Sequence, residues 1–250
     1  MTSAFVGATM LVALYSLWVR RDTWWSRWEI GVTVAIALET CAVALMSPWA
    51  AHHFGPLLHR AVRLWNVQQL AGHLCFVVAI AANIYHMLPR MTDYRRARPM
   101  FRRQVVLPVH VGAVVLIGLF VAADAGYHPD GFATASGNPW LDAYWVTLCL
   151  LLIYLSGYAT RLLLVLRSDS RAKETIELYA ASAAFALAGL VAQISTTWID
   201  ADVSTLVWLC ACVSMTIFTY GSARSWKAKT AWFAHNGRAM PEAKPPQAMS

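Results

Sequence analysis

Few residues in this chain could do chemistry, and those that could lie inside apolar runs. Glu39 interrupts the middle of "IGVTVAIALETCAVALM", residues 30–46. A charge at the centre of an apolar membrane helix costs about 2.5–3.5 kcal/mol on insertion scales, so an ionisable group there is a functional candidate by default. On its helical face Glu39 follows Gly31 and Ala35 and precedes Ala42, a stripe of small residues that lets a neighbouring helix approach closely. Glu39 is therefore expected to face a bundle interior, neutral or hydrogen-bonded. It acts there either as a structural acid tying two helices or as a proton or substrate site. A second stripe, Ser182, Ala186, Gly189 and Gln193, repeats the pattern. Gln193 is expected to hydrogen-bond across helices and is a candidate partner for Glu39. Arg161, one or two turns from the end of another apolar run, joins them as the third candidate of an interior polar site, although its length also lets it snorkel outward. Tyr154 and Tyr158 precede it and could present hydroxyls to the same interior.

The histidines raise a cofactor question. His86 and His110 fall at similar depth on neighbouring antiparallel runs, and two neutral imidazoles so placed could ligate the iron of a b-type haem. His73 and His86 are 13 residues apart, about 140° around a straight helix, so this helix does not obviously hold two stacked haems. The plainer reading is hydrogen-bonded structural histidines, with no cofactor. His52, His53 and His59 form a cluster that lacks a nearby acid or cysteine ligand, and no metal site is assigned. Cys41, Cys75, Cys149, Cys210 and Cys212 all lie in apolar runs without a CxxC, which indicates neither zinc nor a disulfide framework and reads as buried, unreactive thiols. There is no phosphate-binding P-loop, no GxSxG and no HExxH, so no catalytic residue is assigned and the chain reads as non-enzymatic.

Apolar helices must position these groups. The chain has 250 residues, of which 58% are hydrophobic and only 13% charged; soluble domains carry about 25% charged residues. Its 12 tryptophans suit a membrane interface. An all-α, polytopic membrane protein follows, a single bundle of seven helices with spans at about 3–19, 30–47, 68–89, 105–124, 143–163, 178–199 and 203–222. The first run lacks a basic start and a small-residue cleavage site, and is read as a retained helix rather than a signal peptide.

Basic residues alternate strictly between the two sides. Arg20, Arg21 and Arg27, the six arginines of 90–103, the four basic residues of 161–173 and the five after span seven fall on one side; only Arg60 and Arg63 fall on the other. The positive-inside rule puts the N-terminus outside and the C-terminus in the cytoplasm. Asp124, Asp130, Asp142, Asp200 and Asp202 all fall on the outer side. The net charge of +7 is thus an orientation signal and not a nucleic-acid footprint. Lipid is the expected partner, with a second copy or another membrane protein beside it, and no nucleic acid. Seven helices and this length also suit a retinal protein, but the last span has no lysine for a Schiff base, since Lys227 lies beyond its end. Residues 48–67, with Trp49, Trp65 and an amphipathic middle, are expected to form a short interfacial helix. Residues 224–250 are expected to be a basic cytoplasmic tail, its first part on the inner membrane surface and "MPEAKPPQAMS" disordered.

Four stretches, "SLWVRRDTWWSRWEIGVTVAIAL", "LWNVQQLAGHLC", "LIGLFVAADAG" and "DAYWVTLCLLLIYLSGYATRLL", resemble the N-terminal membrane region of actinobacterial and actinophage seven-helix membrane proteins described as transporters. The resemblance covers most of residues 10–200 and contains no catalytic motif. It implies the cell membrane of an actinobacterium or of its phage-carrying host, and a transporter-like or sensory role of unnamed substrate.

Overall fold

The computed structural model describes residues 2–26, 28–91, 94–130, 137–167, 173–199 and 202–237, and among them the chain is helical with no strand. Each of the seven apolar stretches falls on a helix. These are α1 (Thr2–Val19), α2 (Ile30–Met46), α4 (Val67–Met87), α6 (Leu107–Ala123), α7 (Pro139–Leu166), α8 (Lys173–Ser195) and α9 (Ser204–Gly237). Two further helices, α3 (Pro48–Val62) and α5 (Tyr94–Phe101), lie in the connections. Among the described residues, five helical segments are long and apolar enough to cross a membrane: Val67–Arg90, Arg95–Ala123, Pro139–Leu166, Lys173–Ser195 and Ser204–His235. A sixth is reached if α2 and α3, bent by 77° at their junction, are taken as one broken span; the apolar Ser3–Val19 is shorter.

The bends have local causes. Pro48 forces Ser47 into an extended conformation, and the Ser47 hydroxyl then caps α3 by accepting from Ala50 N at 3.2 Å. Where α5 runs into α6, residues Arg102–Val106 form a π-helical turn. Pro108 has no N–H to offer the Gln104 carbonyl one turn back. The Tyr154 hydroxyl on α7 donates to that carbonyl instead, at 2.9 Å.

Six helices close into a ring, in the order α1, α2, α4, α7, α8, α9 and back to α1. The remaining long helix, α6, packs outside the ring against α7 and α4, and leaves Val111, Val114, Ile117 and Val121 exposed. Small residues set the closest approaches. A Cβ on Gly31 would sit 2.9 Å from His86 Cβ, and one on Gly72 would sit 2.6 Å from Met46 Cγ, so α2 and α4 pack with their backbones nearly in contact. Gly189 brings α8 equally close to Cys210 on α9. Hydroxyls join the same helices. Ser182 Oγ donates to Ser214 O at 2.9 Å and Ser214 Oγ returns the bond to Ser182 O at 2.8 Å, while Ser16 Oγ ties α1 to Thr219 O at 2.9 Å. Such bonds between membrane helices average about 0.6 kcal/mol each, so they fix register more than they add stability.

The two ends of the bundle differ in chemistry. At one end the segment after α6 folds over the bundle. Asn66 donates to Gly126 O at 2.8 Å, Gln69 donates to His128 O at 2.8 Å, and Trp208 Nε1 donates to Asp130 at 2.8 Å. The opposite end is ionic. There Glu29, just ahead of α2, meets Arg20 from the end of α1, Arg90 from beyond α4 and Lys229 from α9.

Two expectations are corrected here. Residues 224–237 continue α9 and do not form a separate tail: this stretch contains three alanines and no proline, and its first half is tied by Arg224 to Glu174 and by Lys229 to Glu29. Lys227 is accordingly helical and donates to the Tyr15 hydroxyl. Residues 238–250 lie outside the described residues. The cysteines are free but not uniformly buried, since Cys41 is exposed on the outward face of α2.

Candidate functional site

A cavity of about 160 Å³ lies between the ring helices, lined by α2, α4, α7, α8 and α9. Its walls follow from helical spacing. On α7 the lining side chains recur every three or four residues from Trp145 to Leu163, and on α8 they recur from Tyr179 to Gln193. Most of the lining is apolar, with Phe76, Ile80, Leu148, Leu152, Met215 and Phe218 contributing large side chains.

Polar groups in this wall are few. Glu39 enters from α2, and its Oε2 is buried with no hydrogen-bond partner among the described residues. Asn83 enters from α4, and its Oδ1 is likewise buried without a partner. Gln193 lies in the α8 wall, 2% exposed. His73 is held in place by a 2.7 Å bond between Nδ1 and the Tyr144 hydroxyl and by the edge-on ring of Trp145. Tyr179 spends its hydroxyl on Ser222 at 2.8 Å. No lysine or arginine is among the lining residues.

Glu39 and Gln193 therefore border one cavity, but the structure records no hydrogen bond between them. The expected interhelical partner of Glu39 is missing for a geometric reason. The stripe around Glu39 packs on α4, the Gln193 stripe packs on α9, and the cavity separates the two helix pairs. Thr40 is occupied within its own helix, donating to Ile36 O at 2.7 Å. Arg161 does not belong to the site and is exposed. It is two residues from both Ala159 and Leu163, which line the cavity, and so points about 160–200° away from them. Tyr154 also turns outward, to Gln104, and Tyr158 is absent from the cavity wall.

The two candidate haem ligands are not brought together. His86 packs beside Gly31 of α2, whereas His110 is exposed on α6, its Nδ1 paired with Val106 O of its own helix at 2.8 Å. The reason is that α6 lies outside the ring, so a residue at its outward face cannot meet one on the α2 side of α4. In the connection, His53 Nδ1 pairs with Trp49 O at 2.8 Å and His59 stacks on Trp65 with centroids 4.0 Å apart. No group of three His, Cys, Asp or Glu side chains able to hold a metal occurs among the described residues.

The ionic cluster at the end of the bundle went unread in the sequence. Arg20 is 2% exposed and each of its guanidinium nitrogens donates: Nε to Thr33 at 3.2 Å, Nη1 to Ser222 O at 3.1 Å, and Nη2 to Glu29 Oε2 at 3.2 Å. Glu29 Oε1 accepts from Lys229 at 2.6 Å and from Arg90 at 3.2 Å. Trp226 stacks over the Arg20 guanidinium at 5.7 Å. Burial alone would raise the Glu29 carboxyl, but the Lys229 hydrogen bond and the charges of Lys229 and Arg90 outweigh it and hold the group below its ordinary range. One signal was present: an acid immediately before an apolar helix, on a side otherwise rich in arginine.

In comparison with known proteins, no family model, no curated protein and no solved structure matches this chain.

Proposed function

We propose that this chain is a seven-span membrane protein of transporter-like or sensory type, with its N-terminus outside, its C-terminus cytoplasmic, and the cavity at Glu39 as its ligand site. One observation carries the reading: a cavity lined by five helices receives a carboxylate whose buried oxygen has no partner among the described residues. A bundle that served only as a scaffold would gain by filling this space, because each lost methylene contact weakens a packed interior. The topology is supported by the alternation of arginines and by the Glu29 cluster, which joins the end of α1, the start of α2, the end of α4 and the extension of α9 at one end of the bundle. The transporter-like class and the actinobacterial cell membrane rest on the resemblance of the four stretches named above.

Access to the cavity tests the proposal. In a chain freed of its five cysteines, Ala186→Cys places one thiol in the wall, and oriented vesicles are treated with a membrane-impermeant and a permeant maleimide. Labelling by the impermeant reagent from either face supports a transporter-like protein, and labelling by the permeant reagent alone supports a sensor of a lipid-borne ligand. A folded protein that neither reagent labels defeats both versions.

A further inference from the structure

We propose that the cavity binds a small apolar amine, its ammonium on Glu39 and Asn83 and its hydrocarbon body among the surrounding apolar side chains. This deepens the reading of the cavity as a ligand site and rests on it.

Glu39 Oε2 and Asn83 Oδ1 are buried in this wall with no partner among the described residues, and a carboxylate oxygen and an amide oxygen are both acceptors. An occupant that satisfies them must bring donors. A carboxylate in an apolar interior also needs a cation, since an unpaired buried charge is costly. The wall supplies neither lysine nor arginine, so the occupant must carry the charge as well. Most other polar side chains of the wall are engaged elsewhere: the His73 ring is bonded to Tyr144, the Tyr179 hydroxyl to Ser222, Ser182 and Ser214 to one another, and Gln193 and Trp145 have contacts of their own. An amine meets both requirements with a single nitrogen. If it arrives neutral at a protonated Glu39, the carboxyl proton moves to the amine nitrogen and leaves the same ammonium–carboxylate pair.

Size and lining set the rest of the ligand. A dry apolar cavity of about 150 Å³ accommodates benzene, and this one measures about 160 Å³. Phe76, Ile80, Leu152 and Phe218 offer hydrocarbon and aromatic surface but no further acceptor. The class is therefore a six-membered ring or an equivalent hydrocarbon with one amino group, small enough to enter by way of lipid or water.

The test uses the whole protein in nanodiscs, with benzylamine, benzyl alcohol and toluene as probes and calorimetry and thermal midpoint as readouts. Benzylamine is expected to bind at least ten-fold more tightly than toluene and benzyl alcohol. Glu39→Gln should abolish that preference and leave toluene binding as it was; the toluene arm shows that each variant keeps its cavity. Equal affinity for amine and alcohol, a preference that survives Glu39→Gln, or no binding of any probe would each overturn the proposal. A cavity reached by maleimide but showing no amine preference sinks this inference alone. A cavity that is neither labelled nor bound sinks the functional reading with it.

Discussion

Glu29 and Glu39 are ten residues apart along one stretch of chain, yet they live in opposite circumstances. Glu29, at the end of the bundle, accepts from Arg20, Arg90 and Lys229, and every partner comes from a different part of the chain. Glu39, in the ring interior, has a buried oxygen with no donor among the described residues. The same side chain is thus a fastener in one place and an open valence in the other. What separates them is the supply of cations: three converge on the first and none lines the second. A buried acid with all its partners is explained by the fold it holds together, whereas one without them is explained only by something the fold does not contain.

The contrast can be broken from either side, and the largest effect is expected at Glu29. Glu29→Leu strands Arg20, whose side chain is 3% exposed, while Arg90 and Lys229 can turn to solvent. Removing one member of a buried ion pair costs about 3–5 kcal/mol, and the unfolding transition in detergent should move accordingly. Arg20→Lys keeps the charge but cannot reach Thr33, Ser222 and Glu29 together; a loss of about 1–3 kcal/mol by the same measurement is expected, and full stability would show that the fork of donors is dispensable.

An acid titration follows with the same sign. The Glu29 carboxyl is held lower in the folded protein than in the unfolded chain, so its contribution is complete above the ordinary carboxylate range. It is lost as pH falls through the lowered folded value. Thermal midpoints should therefore fall on acidification below about pH 4.5 more steeply in the parent than in Glu29→Leu. Tyr154→Phe leaves the Gln104 carbonyl without its donor beside the π-turn, and a cost of about 0.5–1.5 kcal/mol is expected. The smallest change belongs to Glu39→Leu. No partner is orphaned, so stability should stay within about 0.5 kcal/mol of the parent or rise. A loss of 1–3 kcal/mol, on the order expected when a bonded partner is stranded, would show that Glu39 is a fastener after all.

How much of this was legible beforehand depends on sequence distance. The helices could be read from apolar length, and the inward direction of Glu39 from Gly31, Ala35 and Ala42 on its face, because both are properties of a few consecutive turns. That Gln193 borders the same space also followed from its stripe, but the bond expected between them did not. Whether two stripes meet each other or each meets a third helix depends on the ring order, which no local pattern encodes. Arg161 was misplaced because depth was read without angle: it is at the right height on the wrong side of α7. His110 failed similarly, since neighbouring helices in the chain need not share an interior, and α6 lies outside. The Glu29 cluster was hidden for the plainest reason, as its partners are 9, 61 and 200 residues away. α9 was cut short because the apolar run ends near Ser222 while helix-forming residues continue.

That continuation has a mechanical consequence. α9 has 34 residues, and a straight helix of that length measures about 51 Å, well beyond the hydrocarbon thickness of about 30 Å. One part of it, from Val207 to Phe218, contributes to a wall of the cavity; the next turns reach the ionic cluster at Lys229, and only the last turns, to Gly237, run past it. Such a helix is a lever. A tilt of about 5° pivoting at Met215 would carry the far end at Gly237 through roughly 3 Å, since some 33 Å of helix lies between them. If the cavity takes a ligand as proposed, a tilt of that size on seating would show at the far end of the helix as a displacement of a few ångströms.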